Sequence, residues 1–300
     1  MWFGLGIGIV FAAAAAPVPS GPAVGTPVPI ARLPAGLVAV AVDAPDGGPP
    51  LTFVLDTGAG ITVVSSAAAA ALGVTTSRAI AGEAAGGRLE LLAGRCPSLT
   101  VGGVVFDDLR VAVLDLPPAI EVLLGTPIDG ILGRTFLDRA DVALDLAHDT
   151  LTVLPPGTFG RRDRSPGFVR QRFRLVGGAI RIPVRVGAAD VVSAALDLGG
   201  DHSLVNWSMA EASGATGFVP IGGSLVGADG SPVPLIGALT VSEVALGPLA
   251  LTDVSFGVCE DAPCDVLLDR TGPRVHLGID VFGDRELRLS YAARTLYVSD

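Results

Sequence analysis

Lysine is absent from these 300 residues: all 20 basic side chains are arginine, and 30 acidic residues set the formal charge at −10. Phosphate backbones are held by clustered cations, so this balance argues against a nucleic-acid partner. The arginine run Arg170, Arg172, Arg174 reads as a solvated face, because the surrounding charge is acidic. Histidine is nearly missing, and His148, His202 and His276 stand apart from each other and from the cysteines. Without ligand spacing no metal centre is expected, and no cofactor is indicated. Cysteine is equally sparse, at three. Cys96 reads as a small buried residue. Cys259 and Cys264 flank the turn-like Glu260-Asp261-Ala262-Pro263, and are either a candidate disulfide closing a small loop or two independent thiols.

Long apolar runs are also lacking. Trp2 to Val18 is too short for a membrane span and has the shape of a secretory h-region, although no Lys or Arg precedes Arg32. Residues 1–20 are therefore expected to be an export signal removed near Ala16 to Ser20, or an uncleaved anchor and the sole membrane contact. The protein is then periplasmic or secreted. Pro17 to Pro29 follows as an extended lead-in.

What the chain has in excess is glycine, 40 residues, and proline, 23, in a sequence that is half apolar and only 5% aromatic. Many short apolar strands with Gly turns indicate an all-β class, and the length suffices for two cores. Leu51 to Ser65 is the most informative stretch. An apolar strand ending Val54-Leu55 delivers Asp56 into the turn Asp56-Thr57-Gly58-Ala59, and a second apolar strand leaves through Val63-Val64. Taken alone, Asp-Thr-Gly is ordinary turn chemistry; set between two core strands, it places a carboxylate at the mouth of a core.

The pattern occurs twice. Asp197-Leu198-Gly199-Gly200 lies 197 − 56 = 141 positions downstream, and at that offset Thr62 meets Ser203, Val64 meets Val205, Ala71 meets Ala212 and Gly73 meets Gly214. A second element, Ile131-Leu132-Gly133 with Phe136, recurs as His276-Leu277-Gly278 with Phe282 at 278 − 133 = 145. That offset holds to the closing strands, where Thr150-Leu151 matches Thr295-Leu296. Half of the chain is thus an internal repeat of the other half.

Apolar-apolar-Asp-Thr-Gly-Ala followed by apolar-apolar-Gly resembles the two signatures of retropepsin-like aspartic proteases, here in two tandem copies after the N-terminal segment, as in a bacterial aspartyl protease. The resemblance implies two β-barrel lobes related by a pseudo-twofold, with short helices. The lobes are expected at 21–154 and 173–300, joined by a breaker-rich linker at 155–172. It implies an endopeptidase in which Asp56 and Asp197 share a proton and activate water, acting as a monomer on a peptide or protein. Thr57 would tie the two loops together, Gly58 and Gly199 would admit the carboxylates, and Leu132-Gly133 and Leu277-Gly278 would brace the loops from below. Gly86 and Gly87, and Gly227 and Gly230, fall where the family carries a mobile flap. Neither Ala59 nor Gly200 offers the hydroxyl that pepsin-like relatives aim at the carboxylate. The second lobe departs further, with Leu198 where Thr or Ser would return the loop-to-loop bond and His276 where the first lobe has Ile131. Two alternatives follow: a peptide-binding scaffold without hydrolysis, or a protease whose first lobe alone is competent and dimerises.

Overall fold

The computed structural model describes residues 25–34, 36–44, 47–84, 87–160, 166–226, 232–261 and 272–300. The expected leader, 1–20, lies outside them, as do Cys264, Gly86, Gly227 and Gly230.

The first half runs β1 (Val28–Arg32), β2 (Val38–Asp43), β3 (Leu51–Leu55), β4 (Thr62–Val64), α1 (Ser66–Ala71), β5 (Thr75–Ala84), β6 (Gly87–Val101), β7 (Val104–Val113), α2 (Pro118–Leu124), β8 (Gly130–Leu132), α3 (Arg134–Leu137), β9 (Asp141–Asp145) and β10 (Thr150–Leu154). The second runs β11 (Phe168–Arg172), β12 (Arg174–Val176), β13 (Ala179–Val186), β14 (Val192–Leu196), β15 (Leu204–Asn206), α4 (Trp207–Ala212), β16 (Val219–Val226), β17 (Pro232–Leu246), β18 (Leu249–Cys259), β19 (Val275–Leu277), a 3-10 turn Ile279–Phe282, β20 (Glu286–Ser290) and β21 (Thr295–Ser299). Adding 141 to β3 or α1, or 145 to β8, α3, β9 or β10, reproduces the bounds of the matching element.

Each half closes a six-stranded barrel. In the first, β2-β3-β8-β4-β7-β6 is sealed by β2 against β6; in the second, β13-β14-β19-β15-β18-β17 is sealed by β13 against β17. Period-two patterning builds the walls: in β13, Ile180, Ile182, Val184 and Val186 are buried while the residues between them face outward. Capping makes the two short helices equivalent. Ser65 accepts from Ala68 N–H in front of α1, Asn206 accepts from Met209 N–H in front of α4, and both helices stop just before a left-handed glycine, Gly73 or Gly214.

A third sheet joins the lobes, in the order β11-β21-β20-β9-β10-β1. Its central pair is antiparallel, with Ala143 opposite Arg288, Asp145 opposite Glu286 and Asp141 opposite Ser290. Because 288 − 143 = 145, the pair Ala143–Arg288 is its own mate in the repeat, and the other two pairs exchange with each other. The pseudo-twofold therefore passes through that pair. Apolar residues from both barrels and this sheet form one continuous core. The expected linker, 155–172, includes β11 at its end, where Arg170 and Arg172 are exposed and Gln171 is buried.

Cys96 is a free buried thiol and Cys259, also buried, is disulfide-bonded. Among the described residues no group of His, Cys, Asp or Glu has the spacing to hold a metal ion. No described helix is long and apolar enough to cross a membrane.

Candidate active site

Asp56 leaves the end of β3, and Asp197 leaves the end of β14. Each strand lies parallel to the short strand carrying the second signature, β8 or β19, so a carbonyl there can brace the loop backbone. Asp56 N–H donates to Leu132 O at 3.1 Å, and Asp197 N–H donates to Leu277 O at 2.9 Å. Below them, Gly133 N–H donates to the Thr62 hydroxyl at 3.3 Å, and Gly278 N–H donates to the Ser203 hydroxyl at 2.9 Å. Thr62 N–H in turn donates to Thr135, whereas Ser203 N–H donates to the Asp280 carboxylate. The supports are thus the same at offsets 141 and 145, but the second lobe places the acid Asp280 where the first has the Thr135 hydroxyl.

The two aspartates meet. A Cβ on Gly58 would lie 2.6 Å from the Asp197 carboxyl carbon, and one on Gly199 would lie 2.4 Å from that of Asp56. Each carboxylate therefore fills the space that the opposite loop leaves by having glycine. Asp56 Oδ1 accepts from Gly58 N–H at 2.6 Å and Ala59 N–H at 2.9 Å, and Asp197 Oδ1 accepts from Gly199 N–H at 2.9 Å. Both Oδ2 atoms are buried without a hydrogen-bond donor, as expected from the missing hydroxyls at 59 and 200. Burial, then the Asp197 charge and a hydrogen bond between the two side chains, hold the Asp56 carboxyl well above its usual range, against the lowering effect of the Ala59 and Gly58 N–H groups.

Thr57 joins the lobes differently from the expected pattern. Its hydroxyl donates to Leu196 O at 3.1 Å and accepts from Leu198 N–H at 2.9 Å, so it is satisfied entirely by the backbone of the other loop. The absence of a hydroxyl at Leu198 leaves Thr57 with nothing unmade. Leu198 instead packs into the main core. What is missing is the reciprocal pair of bonds from second loop to first. On that side Tyr291, buried and stacked edge-on against Phe173, donates its hydroxyl to Thr57 O at 3.4 Å. Tyr291 was not legible as a site residue, because its counterpart in the repeat, Leu146, has no polar atom.

The hairpin β5–β6 and its counterpart β16–β17 stand where the flaps were expected, and Gly87 opens β6 opposite Ala84. Val226, at the end of β16, packs against the first-lobe cluster that contains Ala59 and Ile61. The second hairpin therefore reaches across to the first lobe. His276 in β19 lies with Nε2 3.6 Å from Asp197 Oδ2, inside the site and not beside it.

A family model described as aspartyl protease matches residues 39–136, from β2 through most of α3 and including the first Asp loop. No curated protein matches the chain. Among solved structures, the crystal structure of Basic 7S globulin from soybean superposes with a TM-score of 0.57 at 9% identity, covering 91% of this chain and 94% of that one, a likeness of fold alone. Over residues 39–136 the chain is thus similar to the aspartyl proteases in sequence, and over most of its length it is similar to the soybean globulin in fold.

Proposed function

We propose that the protein is an aspartic endopeptidase whose Asp56 and Asp197 activate water against a peptide carbonyl held between the lobes. The reciprocal seating of each carboxylate on the opposite loop's glycine carries this reading. The raised Asp56 carboxyl favours keeping a proton at that site. In the reaction Asp197 takes a proton from water as its oxygen bonds to the carbonyl carbon, and Asp56 gives its proton to the carbonyl oxygen. As the diol collapses and the C–N bond breaks, Asp197 gives its proton to the departing amine nitrogen and a diol hydroxyl gives one back to Asp56, which restores the starting pair. No covalent enzyme intermediate is formed and no cofactor takes part. The two buried Oδ2 atoms without donors support the same reading, since a reacting water and diol supply the missing hydrogen-bond partners.

The packing of the second lobe on the first supports an intramolecular dyad over pairing of two first lobes, and a monomer is expected by size exclusion. The deciding experiment is digestion of a defined peptide mixture across pH, with products read by mass spectrometry beside the Asn variants of both aspartates. Cleavage that needs both aspartates supports the proposal; cleavage that survives loss of either one sinks it.

Like-charge coupling in a buried carboxylate pair, for which aspartic proteases are the type case, places the active one-proton state in mild acid, roughly pH 5–6. Activity should fall on both sides, and the limbs belong to the pair. Ala59→Ser would add a hydroxyl donor beside the Asp56 carboxylate, favour its charged form and move the profile toward acid. A profile of kcat/KM against pH that is unmoved by Ala59→Ser would count against this description of the loop.

A further inference from the structure

The repeat differs at two positions that touch. In the first lobe Ile131 and Ala59 pack in one apolar cluster beside the Asp56 loop. In the second lobe the equivalent positions are His276 and Gly200. A Cβ on Gly200 would lie 3.0 Å from His276 Nε2, so the imidazole occupies the space that a side chain at 200 would take. That space faces the outer oxygen of Asp197, which has no hydrogen-bond donor. An apolar pair has thus been exchanged for an imidazole and the room to hold it, 3.6 Å from one reacting carboxylate.

We propose that His276 is a positioning residue of the dyad: its imidazole titrates against the Asp197 carboxylate and, when charged, opposes entry of a second proton into the Asp56–Asp197 pair. The inference rests on the endopeptidase reading for its kinetic consequence, but not for the coupling itself.

The surroundings make His276 a group that charges only in acid. Burial pushes it below the usual imidazole range, the Asp197 charge opposes this, the Arg181 guanidinium from β13 adds to it, and Asp280 from the 3-10 turn opposes it. Asp280 is itself raised by burial, held down by Ser203 and by the His202 and His276 charges. His276 therefore charges at lower pH than a free imidazole does, on the acid side from which a second proton enters the dyad. An imidazolium beside Asp197 disfavours that protonation, so the acid limb of activity lies lower with histidine than with an uncharged side chain.

The test uses the full chain. Histidine C2–H resonances, assigned with His276→Gln, are titrated by NMR in the unaltered protein and in Asp197→Asn. Loss of the facing charge is expected to lower the His276 midpoint by on the order of one pH unit. An unchanged midpoint overturns the proposal, whether or not the protein cleaves anything. In kinetics His276→Gln, which keeps a donor but cannot charge, is expected to raise the acid limb of kcat/KM by about one pH unit and leave the basic limb in place. An acid limb that stays put in a folded His276→Gln overturns the kinetic role. The double variant Gly200→Ala/His276→Ile, which copies the first lobe, controls for packing and should show the same raised limb. Absence of cleavage in the unaltered protein would end the endopeptidase reading, and the NMR titration would still decide the coupling.

Discussion

Asp56→Asn and Asp197→Asn are each expected to lower kcat/KM for peptide cleavage on the order of 10³-fold or more, and by similar amounts. A lone carboxylate cannot both take a proton from water and supply one to the carbonyl oxygen. Asp56→Asn should also change how stability depends on pH. The folded-state Asp56 carboxyl lies above its unfolded value, so the native state binds this proton more tightly than the unfolded chain does. Stability from this group is therefore fully present in acid and is lost as pH rises through the folded value. Asn at 56 cannot ionise and removes that loss, so Asp56→Asn should gain stability over the unaltered protein near neutral pH and gain little or nothing near pH 4. Denaturant midpoints at the two pH values check this. A variant that is less stable at neutral pH than at pH 4, relative to the parent, would show that the Asp56 charge is tolerated in the folded state.

Thr57→Val should be the most damaging substitution at the seam between the loops. Thr57 is fully buried, and its one hydroxyl satisfies both Leu196 O and Leu198 N–H across the lobes. Valine has nearly the same shape, so the loss is polar: two buried peptide groups are left without a partner. At about 1–3 kcal/mol for each of the two orphaned groups, the cost is roughly 2–6 kcal/mol in unfolding free energy. Cleavage should fall as well, because the bonds hold Leu196 and Leu198 on either side of Asp197. Thr57→Ser keeps the hydroxyl and should stay within about 1 kcal/mol of the parent. A Thr57→Val protein as stable as the parent in urea would mean that the lobes are held without this hydroxyl. Leu198→Thr, which would seem to complete a symmetric pair, is expected to lose stability instead. It places a hydroxyl in the apolar core that Leu198 now fills.

The repeat was readable from spacing alone, because two offsets, 141 and 145, carry every supporting position of the loops and match the bounds of strands and helices. Asp56 and Asp197, the glycines that admit them, and the Leu-Gly braces were legible because each needs one residue type for a local reason: a carboxylate, no Cβ, or a backbone in contact with the loop. The all-β class followed from short apolar runs between glycine turns. Sequence also showed that positions 59 and 200 lack a hydroxyl. It did not show what stands there instead, since His276 is 76 residues from Gly200 and only the pairing of β19 with β14 and β15 brings it to Asp197. The acceptor for Thr57 was likewise hidden, because Leu196 and Leu198 offer backbone atoms that every residue has. Tyr291 and Asp280 escaped notice for the same reason, as groups that act across the fold where the repeat is not symmetric. Local chemistry writes itself into short patterns, whereas contacts between distant strands depend on register and closure, which are decided only when the barrels form.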